Sequence, residues 1–205
     1  MSSIASIIDN RCIFWHIPHT LPEVFMANLR KAVFIDRDGV LNELVDRGEG
    51  FCLGGKPIRY TAPFTMQELR LKPDVQIALE LIAKKGYQRI LVTNQPDIKA
   101  GRINPTEFEQ MMDLFRALPL NAVYVCKHLP NDGCNCRKPL PGMLLNARDE
   151  QFVDMHNSFM IGDLETDVQA GQAAGVRTIR LCNEMEPTNA NHRVLNIMEA
   201  AKLLP

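Results

Sequence analysis

Apolar runs of strand type alternate along the chain with segments of helical periodicity. The apolar runs lie near residues 31–36, 88–93, 121–126, 157–161 and 176–181. The helical segments lie near residues 74–85, 105–117, 141–151, 165–174 and 192–203. Alternation of this kind predicts a parallel sheet with helices on both faces and right-handed crossovers between its strands. We therefore predict an α/β fold with a doubly wound parallel sheet.

Residues 42–71 and residues 1–29 fall outside this alternation. The first segment is rich in Gly, Pro and charged residues and is too short for a large cap domain, so we interpret it as loops that border a site. The second is an N-terminal extension to which the pattern assigns no role, with Met26 as an alternative start. We therefore divide the chain into this extension and one α/β domain over residues 30–205.

The segment Lys31-Ala-Val-Phe-Ile-Asp-Arg-Asp-Gly-Val40 carries the most informative pattern. Its apolar run ends in two carboxylates, Asp36 and Asp38, which are followed by a glycine. In open α/β sheets, ligands bind beyond the carboxyl ends of the strands. Two acids placed there repel each other unless a cation or a shared proton neutralises them, which predicts a bound metal. The alternative is an ordinary turn, since Asp and Gly both favour turns.

Three later segments supply groups that suit one site at the ends of successive strands. Thr93 ends the second apolar run, and its hydroxyl and the backbone N–H groups after it could hold a phosphoryl oxygen. Lys138 is a cation just before a proline, and another run breaks at Gly162 into Asp163 and Asp167. Each has a simpler alternative: a threonine favoured in strands, a solvated lysine, and an aspartate that caps a helix. Together they describe a phosphate clamp and metal carboxylates.

Three of the six cysteines lie close to a histidine, in the pattern Cys126-x-His128-x5-Cys134-x-Cys136. A Cys₃His set within eleven residues suits tetrahedral zinc and would be poor geometry for disulfides. Protein atoms would fill all four positions, so the zinc would be structural and would fold the loop that carries Arg137 and the lysine after it. The alternative is a set of free thiols in a reducing compartment.

Composition places the chain among ordinary globular proteins. Its 205 residues are 46% hydrophobic and 23% charged, with a formal net charge of -1. This composition gives no broad basic field to bind nucleic acid, and no apolar run approaches the ~20 residues that a membrane span requires. The N-terminus lacks the basic start and continuous apolar core of a signal peptide. We expect a cytoplasmic protein, a monomer or weak homo-oligomer, whose partner is a small phosphorylated metabolite.

The motifs resemble those of the haloacid dehalogenase (HAD) superfamily of phosphatases. The matching segments are Asp36-Arg-Asp-Gly-Val40, Thr93-Asn-Gln95, Arg137-Lys-Pro139 and Gly162-Asp-x-x-x-Asp167. The resemblance covers residues 30–181. Within the superfamily the chain looks like the small capless branch, which includes the heptose 1,7-bisphosphate phosphatases and the histidinol-phosphate phosphatases. Both of these families carry the same kind of zinc loop.

The resemblance implies a Mg²⁺-dependent reaction that passes through an aspartyl-phosphate. In this scheme Asp36 is the nucleophile and Asp38 is the general acid and base. Mg²⁺ would be held by Asp36, Asp163 and the backbone carbonyl of Asp38, and Asp167 would orient the metal site or its waters. The substrate-binding residues would be Thr93, Asn94, Arg137 and Lys138.

Details around the motifs bear on the substrate. Pro139-Leu-Pro-Gly-Met143 resembles the heptose type, so we expect D-glycero-D-manno-heptose 1,7-bisphosphate to be hydrolysed to heptose 1-phosphate. The short gap between His128 and Cys134 resembles the histidinol-phosphate type, which is the alternative. Ala100 and Leu164 stand where many relatives carry a basic residue. A further alternative, from a different class, is a zinc-stabilised binding protein that has lost catalysis.

Overall fold

One parallel sheet organises the computed structural model, which describes residues 29–205. In chain order the strands are β1 (Ala32–Ile35), β2 (Val45–Asp46), β3 (Cys52–Leu53), β4 (Lys56–Pro57), β5 (Tyr60–Thr61), β6 (Gln88–Asn94), β7 (Ala122–Cys126), β8 (Phe159–Gly162), β9 (Arg177–Leu181) and β10 (His192–Val194). Six of them form the main sheet in the order β10–β9–β8–β1–β6–β7, and every neighbouring pair is parallel.

Helices cover both faces of this sheet. They are α1 (Val75–Lys84), α2 (Pro96–Lys99), α3 (Pro105–Arg116), α4 (Gly142–Gln151), α5 (Glu165–Ala173) and α6 (Ile197–Leu203). Buried side chains of α1, α3 and α6 belong to the hydrophobic core on one face, and those of α4 and Ala170 of α5 belong to the core on the other. The predicted doubly wound α/β fold is therefore confirmed.

Strand β1 is apolar at every position because it lies in the interior of the sheet. It pairs with β6 on one side and β8 on the other, and its four side chains are fully buried. Continuous apolar runs are typical of parallel strands that are covered on both faces. Polar residues begin directly after the strand, at Asp36, where the chain leaves the core.

The region predicted as one helix over residues 192–203 contains two elements. His192–Val194 is the edge strand β10, which pairs with β9. Helix α6 begins at Ile197, after Asn196, whose side chain accepts a hydrogen bond from the N–H of Glu199 at 2.9 Å. The helix prediction is wrong for the first residues because pairing with a neighbouring strand decides the conformation of so short a segment. The other predicted helices are observed within one residue at each end.

Residues 42–71 form a small wall beside the sheet rather than a cap domain. The wall consists of two short antiparallel pairs, β2 with β5 and β3 with β4. Arg47 holds it together, because its guanidinium donates to Glu68 at 2.5 and 2.8 Å and to Thr61 at 2.8 Å. The same guanidinium lies 4.2 Å from the ring centre of Phe64.

The predicted N-terminal extension, including the alternative start at Met26, lies outside the described residues apart from residue 29. The division of the chain at that point therefore stays a prediction. Within residues 29–205, no helix combines the length and the apolar character that crossing a bilayer requires.

Candidate active site

The predicted site residues meet at the carboxyl end of the sheet. Asp36 and Asp38 follow β1, Thr93 and Asn94 close β6, and Asp163 follows β8. Because these three strands are neighbours, their ends converge on a cavity of about 350 Å³. The predicted residues that line it are Asp36, Asp38, Asn94, Arg137, Lys138, Asp163 and Asp167.

Lys138 reaches the cavity from the loop before α4. Its Nζ lies 2.7 Å from Asp36 Oδ1 and 2.6 Å from Asp167 Oδ1, and it donates to the carbonyl of Val92 at 2.9 Å. The side chain is 2% exposed, so two carboxylates rather than water balance its charge. Burial alone would lower the pKa of Lys138, but the charges of Asp167 and Asp36 outweigh burial and hold that pKa above its ordinary value.

Lys138 alone does not balance the negative charge of the carboxyl groups around it. Burial raises the pKa of Asp36 to about 7, and Asp167 and Asp38 add to the rise although Lys138 opposes it. Burial also raises the pKa of Asp163 to about 8, with Asp36 as the next cause. A further cation would let these groups ionise together at neutral pH.

Asp36, Asp163 and Asp167 are arranged as a cation site. Each offers one carboxylate oxygen, and the three oxygens lie within 4.8 Å of one another. Oδ1 of Asp163 is buried and has no hydrogen-bond partner in the described part of the chain. Hard oxygen donors with an unused acceptor fit Mg²⁺, which binds through a few carboxylates and keeps several waters.

Two glycines make room for these carboxylates. A Cβ at Gly39 would stand 2.0 Å from Asp163 Oδ2, and the φ of Gly39 is +77°, which side chains rarely adopt. A Cβ at Gly162 would stand 2.2 Å from the Cβ of Asp167. Neither position accepts a larger residue, because the backbone lies directly against the candidate metal ligands.

The two β6 residues predicted to bind substrate differ in their surroundings. Thr93 is 1% exposed, and its Oγ1 accepts a hydrogen bond from Gln95 Nε2 at 2.9 Å. Asn94 lines the cavity, but its side chain is bonded to the backbone of Lys138. Its Oδ1 accepts from the Lys138 N–H at 3.1 Å, and its Nδ2 donates to the Lys138 carbonyl at 3.0 Å. Asn94 therefore ties the end of β6 to the loop that delivers the lysine.

Asp38 presents to the cavity a carboxylate that three other side chains hold. Arg37 donates to it from Nε and Nη2, Asn42 donates from Nδ2, and Gln95 donates from Nε2. Sequence reasoning assigns none of these three residues a role. Arg37 and Gln95 lie inside the matched motifs, which mark their positions but not their contacts with Asp38, and Asn42 lies outside the motifs.

The mouth of the cavity combines apolar surface with one basic side chain. Leu44, Tyr60 and Leu164 line it, and each is at least 36% exposed. Arg137 is the basic residue at the rim, and its Nη1 donates to the carbonyl of His128 at 3.2 Å. An anionic group at the outer end of a bound substrate would therefore meet Arg137.

Lys99 and Arg102 do not replace the basic residue that is missing at Ala100. Lys99 Nζ lies 2.6 Å from Asp132 Oδ2, and Arg102 Nε is bonded to Asp97 Oδ1. Both charges are thus neutralised by neighbouring carboxylates, and neither residue lines the cavity. Because Ala100 is uncharged, Arg137 is the basic residue at the rim among the described residues that line this cavity.

Three cysteines and a histidine form a second cluster, at the end of β7 and in the loop after it. Their ligand atoms lie within 4.8 Å of one another. Cys136 Sγ is 3.3 Å from both Cys126 Sγ and His128 Nδ1, and Cys126 Sγ is 3.9 Å from Cys134 Sγ. Thiolates bound to one zinc at ~2.3 Å are separated by roughly 3.8 Å, so the spacing fits zinc and is too long for disulfides.

The thiols of this cluster are crowded, and the chain connects them directly to the active site. Burial raises the pKa of Cys136 to about 12, and the neighbouring Cys126 and Cys134 add to the rise. A divalent cation would relieve this crowding by holding the thiolate forms. Arg137 and Lys138 follow Cys136 immediately, so the position of the cluster fixes the start of the segment that enters the cavity.

Known proteins with similar sequences are phosphatases. Residues 135–186 match the family model described as HAD-hydrolase-like. The D-glycero-beta-D-manno-heptose-1,7-bisphosphate 7-phosphatase of Helicobacter pylori (strain ATCC 700392 / 26695) is 34% identical over 157 residues, which cover 73% of this chain and 82% of that enzyme. The enzyme of the same name from Escherichia coli (strain K12) is 34% identical over 189 residues, which cover 83% of this chain and 91% of that enzyme.

The fold is similar to a solved structure of the same kind. The D,D-heptose 1,7-bisphosphate phosphatase from B. bronchiseptica, complexed with magnesium and phosphate, matches with a TM-score of 0.68 and 25% identity. The match covers 84% of this chain and 96% of that one. The resemblance predicted from the motifs is confirmed. The chain belongs to the HAD superfamily, in the family of the heptose-1,7-bisphosphate 7-phosphatases, and is a phosphoric monoester hydrolase.

Proposed function

We propose that this enzyme removes the 7-phosphate of D-glycero-β-D-manno-heptose 1,7-bisphosphate and releases heptose 1-phosphate. One observation carries the chemistry: Lys138 Nζ lies 2.7 Å from Asp36, beside a buried oxygen of Asp163 that has no hydrogen-bond partner within residues 29–205. Asp36, Lys138 and Asp163 line one cavity, which supports their proposed roles as nucleophile, phosphate-binding cation and metal ligand. The substrate follows from the relatives, which share 34% of the aligned residues.

Mg²⁺ is the cofactor that we propose for the oxygen cluster. Asp36 and Asp163 would supply carboxylate oxygens, and Asp38 would supply its backbone carbonyl. Asp167 would stand behind them, where it contacts Lys138. When bound, the ion balances the charge of the carboxylates and of the substrate phosphate, which lets these anions approach each other.

Asp36 begins the reaction. One of its carboxylate oxygens attacks the phosphorus in line, so a bond forms between these atoms while the bond from phosphorus to the sugar oxygen breaks. The leaving oxygen keeps the electron pair and takes a proton from Asp38. Lys138 and the hydroxyl of Thr93 stabilise the phosphoryl oxygens, and the product of this half-reaction is an aspartyl-phosphate.

Water completes the cycle. Asp38, now ionised, takes a proton from a water molecule as the water oxygen attacks the phosphorus. The bond between Asp36 and phosphorus breaks, which restores the carboxylate and releases inorganic phosphate. One acid–base residue thus serves both halves of the reaction, and its carboxyl group must stay close to the phosphorus throughout.

Arg137 is proposed to bind the second phosphate of the substrate. Its side chain lines the cavity at the rim, where Leu44, Tyr60 and Leu164 are uncharged. A bisphosphate brings a second anion to this end of the cavity. The contact would be the same in the ground state and the transition state, so its loss would raise KM more than it lowers kcat.

Zinc is proposed for the Cys₃His cluster, with a structural role. Cys126, His128, Cys134 and Cys136 fill a tetrahedral set with protein atoms and leave no position for a reacting water. The ion would hold the loop that continues into Lys138. The spacings of 3.3 to 3.9 Å between these ligand atoms support this assignment.

A phosphate-release assay across sugar bisphosphates and histidinol phosphate tests the proposed function. We expect the highest kcat/KM for the heptose 1,7-bisphosphate, with heptose 1-phosphate as the product by NMR. Histidinol phosphate is included because the gap between His128 and Cys134 is short. A higher kcat/KM for histidinol phosphate would overturn the substrate assignment, and no release from any substrate would favour the inactive binding protein.

A further inference from the structure

We propose that Arg37, Asn42 and Gln95 form a cradle that positions Asp38 for proton transfer to the leaving group. The inference rests on the proposed function, in which Asp38 is the general acid. It adds three positioning residues that have no contact with the phosphate in the reaction described above.

The Asp38 carboxylate accepts five hydrogen bonds from these three side chains. Arg37 Nε lies 3.1 Å from both oxygens, and Arg37 Nη2 lies 2.9 Å from Oδ1. Asn42 Nδ2 lies 3.1 Å from Oδ1, and Gln95 Nε2 lies 2.6 Å from Oδ2. The Asp38 side chain keeps 15% of its surface exposed and lines the cavity, so the cradle holds the carboxylate without covering it.

Arg37 anchors the cradle in the hydrophobic core. Its side chain is fully buried, with the guanidinium 5.4 Å from the ring centre of Phe115 and Nη1 3.9 Å from the sulfur of Met112. Within the described residues, Asp38 is the carboxylate with which Arg37 forms an ion pair. Rotating Asp38 away would leave a buried guanidinium without a counter-charge, which is strongly unfavourable. Arg37 therefore fixes the orientation of Asp38 and stabilises the carboxylate that forms when Asp38 gives its proton to the leaving oxygen.

Gln95 connects the acid to the phosphate-binding hydroxyl. The same Nε2 donates to Asp38 Oδ2 at 2.6 Å and to Thr93 Oγ1 at 2.9 Å, and the side chain is 1% exposed. In the proposed reaction Thr93 binds oxygens that stay on phosphorus, whereas Asp38 protonates the oxygen that leaves. A shared donor keeps these two groups at a fixed separation.

Asn42 closes the cradle from the turn that carries Asp38. The backbone N–H of Gly39 donates to the carbonyl of Asn42 at 3.0 Å, and the N–H of Asn42 donates to the carbonyl of Arg37 at 3.2 Å. The side chain of Asn42 also donates to the carbonyl of Glu43 at 2.9 Å. These bonds make the turn rigid, which limits the positions that the Asp38 carboxylate can reach.

Misplacement of the acid affects only substrates whose leaving oxygen needs a proton. An alkoxide is a poor leaving group unless it is protonated, whereas 4-nitrophenolate leaves as the anion. The value of kcat/KM covers the steps up to formation of the aspartyl-phosphate, so it excludes the later hydrolysis. The ratio of kcat/KM for an alkyl phosphate to that for an aryl phosphate therefore reports proton donation. A loss of folded protein would lower both values equally.

The experiment measures kcat/KM of the full chain with Mg²⁺ for 2-phenylethyl phosphate and 4-nitrophenyl phosphate. Asp38→Asn is the reference, and it should lower the alkyl value by about 10²–10⁴-fold and the aryl value far less. Arg37→Met and Gln95→Leu should each lower the alkyl value by about 10–100-fold and leave the aryl value within about threefold, since the acid is present but displaced.

Arg89→Met is the matched control, because it removes a partly buried arginine from the opposite end of β6, where Nε donates to the Pro119 carbonyl at 2.8 Å. Both values should stay unchanged in this variant. Equal losses for the two substrates in Gln95→Leu would overturn the cradle, and this variant decides the matter if Arg37→Met does not fold. Equal losses in the Asp38→Asn reference would overturn the acid role of Asp38, and the cradle with it.

Discussion

The acidic cluster and the cysteine cluster lie at the same end of the sheet but are built in opposite ways. Asp36 and Asp163 follow β1 and β8, which are far apart in the chain, and Asp167 lies in the first turn of α5. All three offer hard oxygen donors. The Cys₃His cluster comes from eleven consecutive residues and offers soft sulfur and nitrogen donors. The first cluster exists only when the sheet is assembled, whereas the second can order a loop around its own ion.

The difference shows how a local site can serve a non-local one. Lys138 follows Cys136 by two residues and supplies the cation that contacts Asp36 and Asp167. Asn94 gives the loop a second attachment, because it holds the backbone of Lys138 from β6. In the proposed function, the cysteine cluster would therefore contribute to the chemistry only by positioning Lys138.

The largest effect should come from the acidic cluster. Asp36→Asn should reduce phosphate release by at least about 10⁴-fold, because a carboxamide cannot form the acyl phosphate. Circular dichroism should show an unchanged fold. Asp46→Asn is the matched control, since Asp46 is an exposed carboxylate paired with Arg59 outside the cavity. Activity of Asp36→Asn within about tenfold of the parent would rule out the nucleophile.

Breaking the cysteine cluster should cost less, because no reacting group is removed. In Cys134→Ser the zinc content should fall and turnover should drop by about 100-fold, since the loop no longer places Lys138 correctly. Elemental analysis and activity are measured on one preparation, with circular dichroism to show that the sheet persists. Cys52→Ser is the control, because Cys52 is exposed and lies outside the cluster. Full activity in a zinc-free Cys134→Ser protein would contradict the structural role.

The link between the clusters can be weakened without touching either one. Asn94→Ala removes two hydrogen bonds to the backbone of Lys138 and should lower kcat by about tenfold, with zinc content unchanged. Asn121→Ala is the control, since its side chain accepts from the N–H of Arg89 at 2.9 Å at the far end of the sheet. A loss of zinc in Asn94→Ala would mean that Asn94 supports the cluster rather than the lysine.

The smallest effect concerns stability without added metal. The pKa values of Asp36, about 7, and Asp163, about 8, lie above the ordinary value of 3.8. Between pH 3.8 and pH 8 the folded state therefore binds more protons than the unfolded state. Stability should therefore fall as pH rises from about 4 to about 8. The urea midpoint measures this, and Mg²⁺ should restore more stability at high pH than at low pH. An equal effect of Mg²⁺ at both values would contradict the assigned carboxylates.

The sequence predicts the sheet and the approach of the site residues because both depend on apolar runs that end in polar groups. The β1 run and the acids after it are visible in ten residues. The cysteine spacing is equally local. Strand β10 is not predictable in this way, because His192–Val194 becomes a strand only by pairing with β9 at the sheet edge. The four-residue helix α2 was missed because it has too few residues for a period to show.

The surroundings of Asp38 could not be predicted for a different reason. Gln95 donates to Asp38 across 57 residues of sequence, and Arg37 contacts Met112 across 75. Such contacts depend on how strands and helices are packed, and no local pattern carries them. Arg37 also looks like a surface residue in the sequence, since a fully buried arginine is rare unless it is paired.

The wall formed by residues 42–71 determines how substrate reaches the phosphoryl-binding groups. The backbone N–H of Met66 donates to Glu107 of α3 at 2.7 Å, and Phe64 and Met66 pack against the hydrophobic core, so this side of the cavity moves with the domain. Phosphatases with a separate lid must open and close it in every cycle, and that motion often limits kcat. Among the described residues no separate lid domain covers the cavity, so we expect substrate, water and phosphate to exchange with solvent by diffusion. We therefore expect bond making at phosphorus to set the turnover rate, and an added viscogen to leave kcat unchanged.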